Sequence, residues 1–138
     1  MKMKIILLSI LSVLIIQSGY SQNKHAEVYF VRSVRWNGTS DPLKILIDSQ
    51  IVCNLTNKKY SYQQVSEGVH IFTVWFTGLG KAPLNEVKPL KMLIKVGNVY
   101  YIELLQENSG YSSLYCKEID EASGKRILMN ATLEEKCL

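Results

Sequence analysis

The sequence predicts an all-β fold, an antiparallel β-sandwich of about seven or eight strands. Two observations favour this fold class. Short runs of β-branched and aromatic residues alternate with turn signals, and helical periodicity is seen only weakly, near the C-terminus. The chain has 138 residues, which is enough for one domain with its own core.

Residues 1–21 are expected to form a signal peptide. An apolar run of 12 residues, Ile5–Ile16, follows Lys2 and Lys4, and small residues stand before Gln22. A membrane-spanning helix needs roughly 20 apolar residues, so cleavage is favoured over an uncleaved anchor. The mature domain is therefore expected to be 22–138, periplasmic or secreted. The first cysteine is Cys53, so a lipid-modified cysteine at the cleavage point is excluded.

The first half of the mature chain reads as five strands. Residues 26–33 carry apolar side chains on both faces, which indicates a central strand. The runs 43–48 and 51–55 are expected to form a hairpin, and 60–65 a short edge strand. Residues 69–77 are apolar on both faces and are expected to lie deep in the core.

The second half is expected to contain a hairpin of 90–96 with 99–107, joined at Gly97-Asn98. The other elements expected are a strand at 111–120, a turn at 121–124, a short strand at 126–129 and a helix with Thr132 as its N-cap. The predicted core comprises Val28, Phe30, Leu46, Ile71, Trp75, Ile94, Tyr101 and Leu104.

The three cysteines would meet an oxidising compartment after export, which allows one disulfide. A bridge between Cys116 and Cys137 would close a loop of about 20 residues. Cys53 lies in an apolar strand and is interpreted as a small buried residue. Sequence alone does not fix the pairing.

Charge and motifs exclude several classes of function. The formal charge of +4 includes Lys2 and Lys4, which leaves +2 after cleavage, too little to indicate nucleic acid binding. There are two histidines, with no Cys-x-x-Cys, His-x-His or Gly-x-Ser-x-Gly pattern. The sequence therefore predicts a non-enzymatic protein without a metal or cofactor, and without a membrane span once the signal peptide is removed.

Three segments are candidates for binding. Arg32, Arg35, Trp36 and Asn37 place an aromatic residue beside arginines, a common recognition pair, although the favoured interpretation of Trp36 is that it folds back to cap one end of the sandwich. The long connection 78–89 is a second candidate, and a tyrosine-lined face that could stack on sugars or peptides is a third. For the connection and the tyrosines, a plain spacer and ordinary β propensity are the favoured interpretations.

Three motifs carry a family resemblance. Residues 66–70, Ser-Glu-Gly-Val-His, resemble the Pro-Glu-Gly-Ala turn of PEGA-type domains, with Ser for Pro and Val for Ala. Residues 96–102 are similar to the Gly-x-x-Tyr-Tyr hairpin of small bacterial envelope proteins known as a domain of unknown function, and 119–124 fit the same group. The resemblance spans about residues 26–129. It implies a transthyretin-like or immunoglobulin-like sandwich and supplies no catalytic residues. Many members carry a lipid-attachment cysteine, and this sequence departs from them because it has none at the predicted cleavage point.

Together these features favour an exported binding or structural module that contacts an envelope protein or a glycan. The alternative is a small secreted inhibitor of a hydrolase that acts through its loops, with Trp36 or 78–89 blocking the active site.

Overall fold

The computed structural model describes residues 24–32, 42–76, 88–107 and 113–137. Within these ranges nine strands form two sheets packed face to face, which confirms the all-β sandwich. The predicted signal peptide lies outside the described residues. In chain order the elements are β1 (His25–Arg32), β2 (Leu43–Ile47), β3 (Gln50–Leu55), β4 (Lys59–Ser66), β5 (Gly68–Phe76), β6 (Leu90–Ile94), β7 (Val99–Glu107), β8 (Ser113–Ile119), α1 (Glu121–Leu128) and β9 (Thr132–Leu133).

The five-stranded sheet has the order β8-β7-β1-β4-β9. β1 lies between β7 and β4, as its two apolar faces predict. It runs antiparallel to β4 but parallel to β7, and β9 runs parallel to the start of β4. The sheet is therefore mixed, whereas the sequence analysis predicted antiparallel pairing throughout.

The four-stranded sheet has the order β3-β2-β5-β6 and is antiparallel throughout. The predicted hairpin of β2 with β3 is confirmed. Its two central residues, Asp48 and Ser49, have φ angles of 50° and 69°. Positive φ at both positions is the turn geometry that matches the right-handed twist of paired strands, and here it is reached without glycine.

The predicted hairpin of 90–96 with 99–107 is wrong. β6 pairs with β5 in one sheet, and β7 pairs with β1 and β8 in the other. The turn between them is an arch that carries the chain across the sandwich. Gly97 takes a φ of 79° in it, and the Glu27 amide donates to the Asn98 carbonyl at 3.0 Å. A turn signal at Gly97-Asn98 suits an arch as well as a hairpin.

The core lies between the sheets and contains Val28, Phe30, Ile94 and Leu104, as predicted. Ile71 is not a core residue, because it is 44% exposed, and Trp75 is only half-buried. The remaining two predicted core residues, Leu46 and Tyr101, are buried but stand outside the central cluster.

β5 explains this error, because only one of its two apolar faces meets the core. Phe72 and Val74 point inward and are buried. Since side chains alternate along a strand, Val69, Ile71 and Trp75 point outward. The prediction that β5 is buried on both faces is therefore wrong.

The segment predicted as a turn and a strand, 121–129, is instead helix α1. Asp120 caps its N-terminus by accepting a hydrogen bond from the Ser123 amide at 2.9 Å. α1 packs across β1 and β7 on the outer face of the five-stranded sheet. A Cβ atom on Gly124 would stand 2.3 Å from the Tyr101 ring, so glycine allows this close approach.

The predicted C-terminal helix is also wrong, because Thr132 starts strand β9 rather than capping a helix. After β9, Glu134 turns inward and its carboxylate accepts hydrogen bonds from the Thr56 amide and hydroxyl and from Lys59. Burial alone would raise the pKa of Glu134, but these hydrogen bonds outweigh it and lower the pKa. The tail is thus anchored beside the β3–β4 turn.

The disulfide joins Cys53 to Cys137, not Cys116 to Cys137. Cys116 is a free, buried thiol on β8, where burial raises its pKa to about 12. Its strand lies at the far edge of the five-stranded sheet from β9. The tail leaves β9 towards β3, which carries Cys53, so the two paired cysteines meet where the tail closes one side of the sandwich. Cys53 is buried as predicted, but as half of a disulfide.

Candidate functional site

Of the four predicted binding residues, the structure describes only Arg32, and it does not form a surface site. Arg32 is fully buried, and its guanidinium donates to the Leu55 carbonyl at 3.5 Å. It follows Val28 and Phe30 in the alternation of β1, so it points inward. Arg35, Trp36 and Asn37 lie outside the described residues, as does nearly all of the connection 78–89.

His70 lies between a carboxylate and a serine, a combination that no sequence motif indicated. Its Nδ1 is 2.6 Å from the Asp48 carboxylate. Its Nε2 is 3.0 Å from the Ser66 carbonyl and 3.5 Å from the Ser66 hydroxyl. The residue types are those of a Ser-His-Asp nucleophile, so the hydrogen-bond directions decide what the group does.

The Ser66 carbonyl can only accept, so in its hydrogen bond with Nε2 at 3.0 Å the ring nitrogen is the donor. Nε2 is nearer to the Ser66 carbonyl than to its hydroxyl, and a nitrogen that donates does not take a proton from serine. The Asp48 carboxylate also accepts from the Ile71 amide at 2.9 Å. This bond and the contact with His70 lower the pKa of Asp48. The arrangement fastens the β2–β3 turn to β5.

The part of the chain that the structure describes contains no candidate metal site. Within those residues, no three His, Cys, Asp or Glu side chains come together as a metal site. Nor does any helix there have the length and apolarity to cross a membrane.

The outer face of the five-stranded sheet carries a tyrosine cluster, defined as Tyr29, Tyr60, Tyr62 and Tyr101. The Tyr29 ring stacks on Tyr101, with centroids 5.4 Å apart, and packs against Tyr62 at 5.2 Å. Tyr29 donates to the Glu27 carboxylate at 3.3 Å, and burial, followed by Glu27, raises the pKa of Tyr29. The rings largely contact each other, which leaves Tyr60 and Tyr62 partly open to a ligand.

The outer face of the four-stranded sheet carries the aliphatic face, defined as Val69, Ile71, Leu93 and Ile51. Their exposed fractions are 55%, 44%, 57% and 40%. Val69 and Leu93 are direct partners across β5 and β6, and Ile71 follows two residues along β5. Exposed apolar side chains that adjoin one another make this face a candidate contact surface.

Two lysines are the only Asp, Glu, Lys or Arg residues in the four strands of this sheet. Lys44 is the cross-strand partner of Trp75, and Lys91 that of Ile71. None of the four strands contains Asp or Glu. The aliphatic face is therefore bordered by positive charge.

The sequence predicted Ile71 as a core residue and the whole strand 69–77 deep in the core, and it assigned no role to Leu93 or Ile51. Val69 and Ile71 belong to the most apolar strand, and a run that is apolar on both faces fits a buried strand and an interface strand equally well. The missing information was the position of α1, which covers the other sheet.

No protein-family model matches this chain, and no curated protein matches it. The resemblance to PEGA-type envelope domains therefore stays a prediction that rests on its three short motifs.

Proposed function

We propose that this chain is an exported, non-enzymatic domain of the bacterial envelope that binds another envelope protein through the aliphatic face. The apolar run that precedes the domain supports export. A role other than catalysis is supported by the sequence, which lacks the motifs of common nucleophilic and metal sites, and by the hydrogen bonds that tie His70 to Asp48 and the Ser66 carbonyl.

One observation carries the choice of a protein partner. Val69, Ile71 and Leu93 are each more than two-fifths exposed and are neighbours on one sheet. Leaving such side chains in water costs about 25 cal/mol for each Å² that a partner could cover. A folded partner with a complementary apolar surface recovers that free energy.

Site-specific photo-cross-linking in the producing cell tests this proposal. A photoreactive phenylalanine analogue replaces Leu93 on the aliphatic face or, as the matched control, Lys117 on the exposed edge strand β8. We expect one defined adduct from position 93 and none from position 117. The partner identified in the adduct is then purified. Leu93→Ser should weaken the binding of this domain to that partner at least tenfold, while the circular dichroism spectrum of the variant stays unchanged. Equal adducts at both positions, or none at either, would contradict the proposal.

A glycan ligand is the second candidate, supported by the tyrosine cluster. Tyr60 and Tyr62 are half-buried, and Gln64 donates to the Tyr62 hydroxyl at 3.3 Å. Aromatic faces beside polar groups suit sugar rings. Titration with peptidoglycan fragments, followed by amide chemical shifts, should move signals near Tyr62 and leave those near Leu93 unchanged. Inhibition of a hydrolase through 78–89 stays a prediction of the sequence.

A further inference from the structure

We propose that the partner covers the aliphatic face with an amphipathic helix whose apolar stripe is flanked by carboxylates. This inference rests on the proposed function, because it assigns the chemistry of the surface that meets Val69, Ile71 and Leu93. Three features of the described residues carry it: the sign of the charges, their spacing, and the way in which the same molecule covers its other sheet.

Among the described residues, the charged side chains in the strands of the aliphatic face are lysines. Lys44 and Lys91 belong to its strands, and Lys95 follows β6. The carboxylate of Asp48 is already held by His70 and the Ile71 amide, so it offers little compensation to the lysines. Glu67, in the turn before β5, is the other nearby carboxylate. A partner with its own carboxylates at the border would complement Lys44 and Lys91 and gain in rate and specificity of association.

The spacing of the lysines suits a helix. Lys44 lies opposite Trp75 on one side of β5, and Lys91 lies opposite Ile71 on the other. From strand spacing and rise per residue, their Cα atoms are about 16 Å apart. That distance corresponds to about three turns of α-helix. Carboxylates at the two ends of a three-turn helix would therefore reach both lysines while its apolar side rests on the sheet.

The five-stranded sheet shows that a short helix fits the outer surface of this sandwich. α1 lies across β1 and β7, and its Gly124 backbone contacts the Tyr101 ring. Within the described residues no helix lies on the four-stranded sheet, and the proposed partner helix would take the equivalent place there.

Two other occupants fit the face less well. A second copy of this chain would bring Lys44 and Lys91 against lysines, with no carboxylate in the four strands to oppose them. An anionic bilayer would complement the lysines. However, interfacial helices bury their apolar face about 5–10 Å deep, and the short side chains of Val69 and Ile71 reach less far than that from their strand.

Three synthetic helical peptides of identical apolar stripe, with Glu, Gln or Lys at the flanking positions, test the assignment. Binding to the mature protein is followed by fluorescence anisotropy at low and physiological salt. We expect the Glu peptide to bind at least tenfold more tightly than the Lys peptide, with the difference shrinking as salt rises. Lys44→Glu with Lys91→Glu should reverse the order of the two peptides. The matched control, Lys117→Glu with Lys125→Glu on the opposite side, should leave it unchanged.

The other outcomes separate this inference from the proposed function. Equal binding of all three peptides, or no binding while position 93 still cross-links to a protein, overturns the acidic helix and leaves the protein-binding function standing. Saturable binding to phosphatidylglycerol vesicles that is lost in Leu93→Ser overturns the helix in favour of a membrane. Self-association that is lost in Leu93→Ser overturns it in favour of a second copy. The absence of both peptide binding and cross-links removes both proposals.

Discussion

The two outer faces of this sandwich are built from similar strands but have opposite surroundings. On the five-stranded sheet, α1 and the tyrosine cluster cover the surface, and Val31 there is fully buried. On the four-stranded sheet no described helix lies over the strands, and Val69 is 55% exposed. Burial of an outer face is thus set by what the chain lays over it, so the apolarity of a strand does not tell whether its outer side meets protein or water.

The largest effect is expected at the disulfide, which holds the C-terminal tail that follows α1 and β9. The bridge of Cys53 with Cys137 spans 84 residues of sequence, so Cys137→Ser should lower the free energy of unfolding by about 4–5 kcal/mol in the chain-entropy model. Urea unfolding without reductant measures this loss. Reductant should reproduce it in the unmodified protein and add nothing in Cys137→Ser. A further loss there would point to a different pairing.

A smaller effect is expected at the contact between helix and sheet. In an exposed helix, replacing Gly by Ala stabilises by roughly 1 kcal/mol. Gly124→Ala should instead destabilise by about 1–3 kcal/mol, because the added Cβ would overlap the Tyr101 ring. In a Tyr101→Ala background the same change should become neutral or stabilising. Thermal unfolding of the unmodified protein, the two single variants and the double variant measures both effects of Gly124→Ala. If Gly124→Ala destabilised the protein equally in both backgrounds, the contact of α1 with Tyr101 would be contradicted.

The most direct test of the comparison makes one chemical change on each face. Val31→Thr places a hydroxyl in a fully buried position of the five-stranded sheet and should cost about 1–2 kcal/mol. Val69→Thr places it on the aliphatic face and should change the free energy of unfolding by less than about 0.5 kcal/mol. Chemical denaturation measures both. Equal losses would mean that the aliphatic face is covered in the isolated protein.

The smallest effect is expected at the edge of the aliphatic face. The folded state lowers the pKa of Asp48, first through the Ile71 amide and then through His70. Its contribution is therefore present above the ordinary carboxyl pKa of about 3.8 and is lost as the pH falls through the lower folded value. Because the Asp48 side chain is 49% exposed, Asp48→Asn should cost less than about 1 kcal/mol at pH 6.

The difference in free energy of unfolding between Asp48→Asn and the unmodified protein should become smaller as the pH falls below 6 and Asp48 is protonated. Unfolding at pH 6 and at pH 2.5 measures it, with Glu135→Gln as a control of equal charge change at an exposed position. If this free-energy difference were larger at pH 2.5 than at pH 6, the hydrogen bonds from His70 and the Ile71 amide would not be stabilising Asp48 as a carboxylate.

The sequence predicted those parts of the fold that depend on neighbours along the chain. The hairpin of β2 with β3 was found because two apolar runs are separated by two polar residues. The arch after β6 was missed because Gly97-Asn98 turns the chain equally well within a sheet or between sheets. Helix α1 was missed because eight residues with a central Gly124 form a helix here only through packing on Tyr101.

The candidate site was harder to predict than the fold. Arg32 was expected at a surface, but the alternation that places Val28 and Phe30 in the core also turns Arg32 inward. The partner of Cys137 depends on the path of the tail after β9, and spacing alone favoured the nearer Cys116. The sequence showed that the residues of the aliphatic face are apolar. Whether they are exposed depends on which sheet α1 packs against, and α1 packs against the other sheet.

The parallel pairing of β1 with β7 also constrains when the domain can be completed. Tyr29 and Tyr101 are partners in this pair, so the strand that leaves the ribosome first waits for one made about 70 residues later. Contacts so distant in sequence slow folding, towards the millisecond-to-second range of sandwich proteins. Until β7 has been made, one edge of β1 has no partner, so the five-stranded sheet closes late in synthesis.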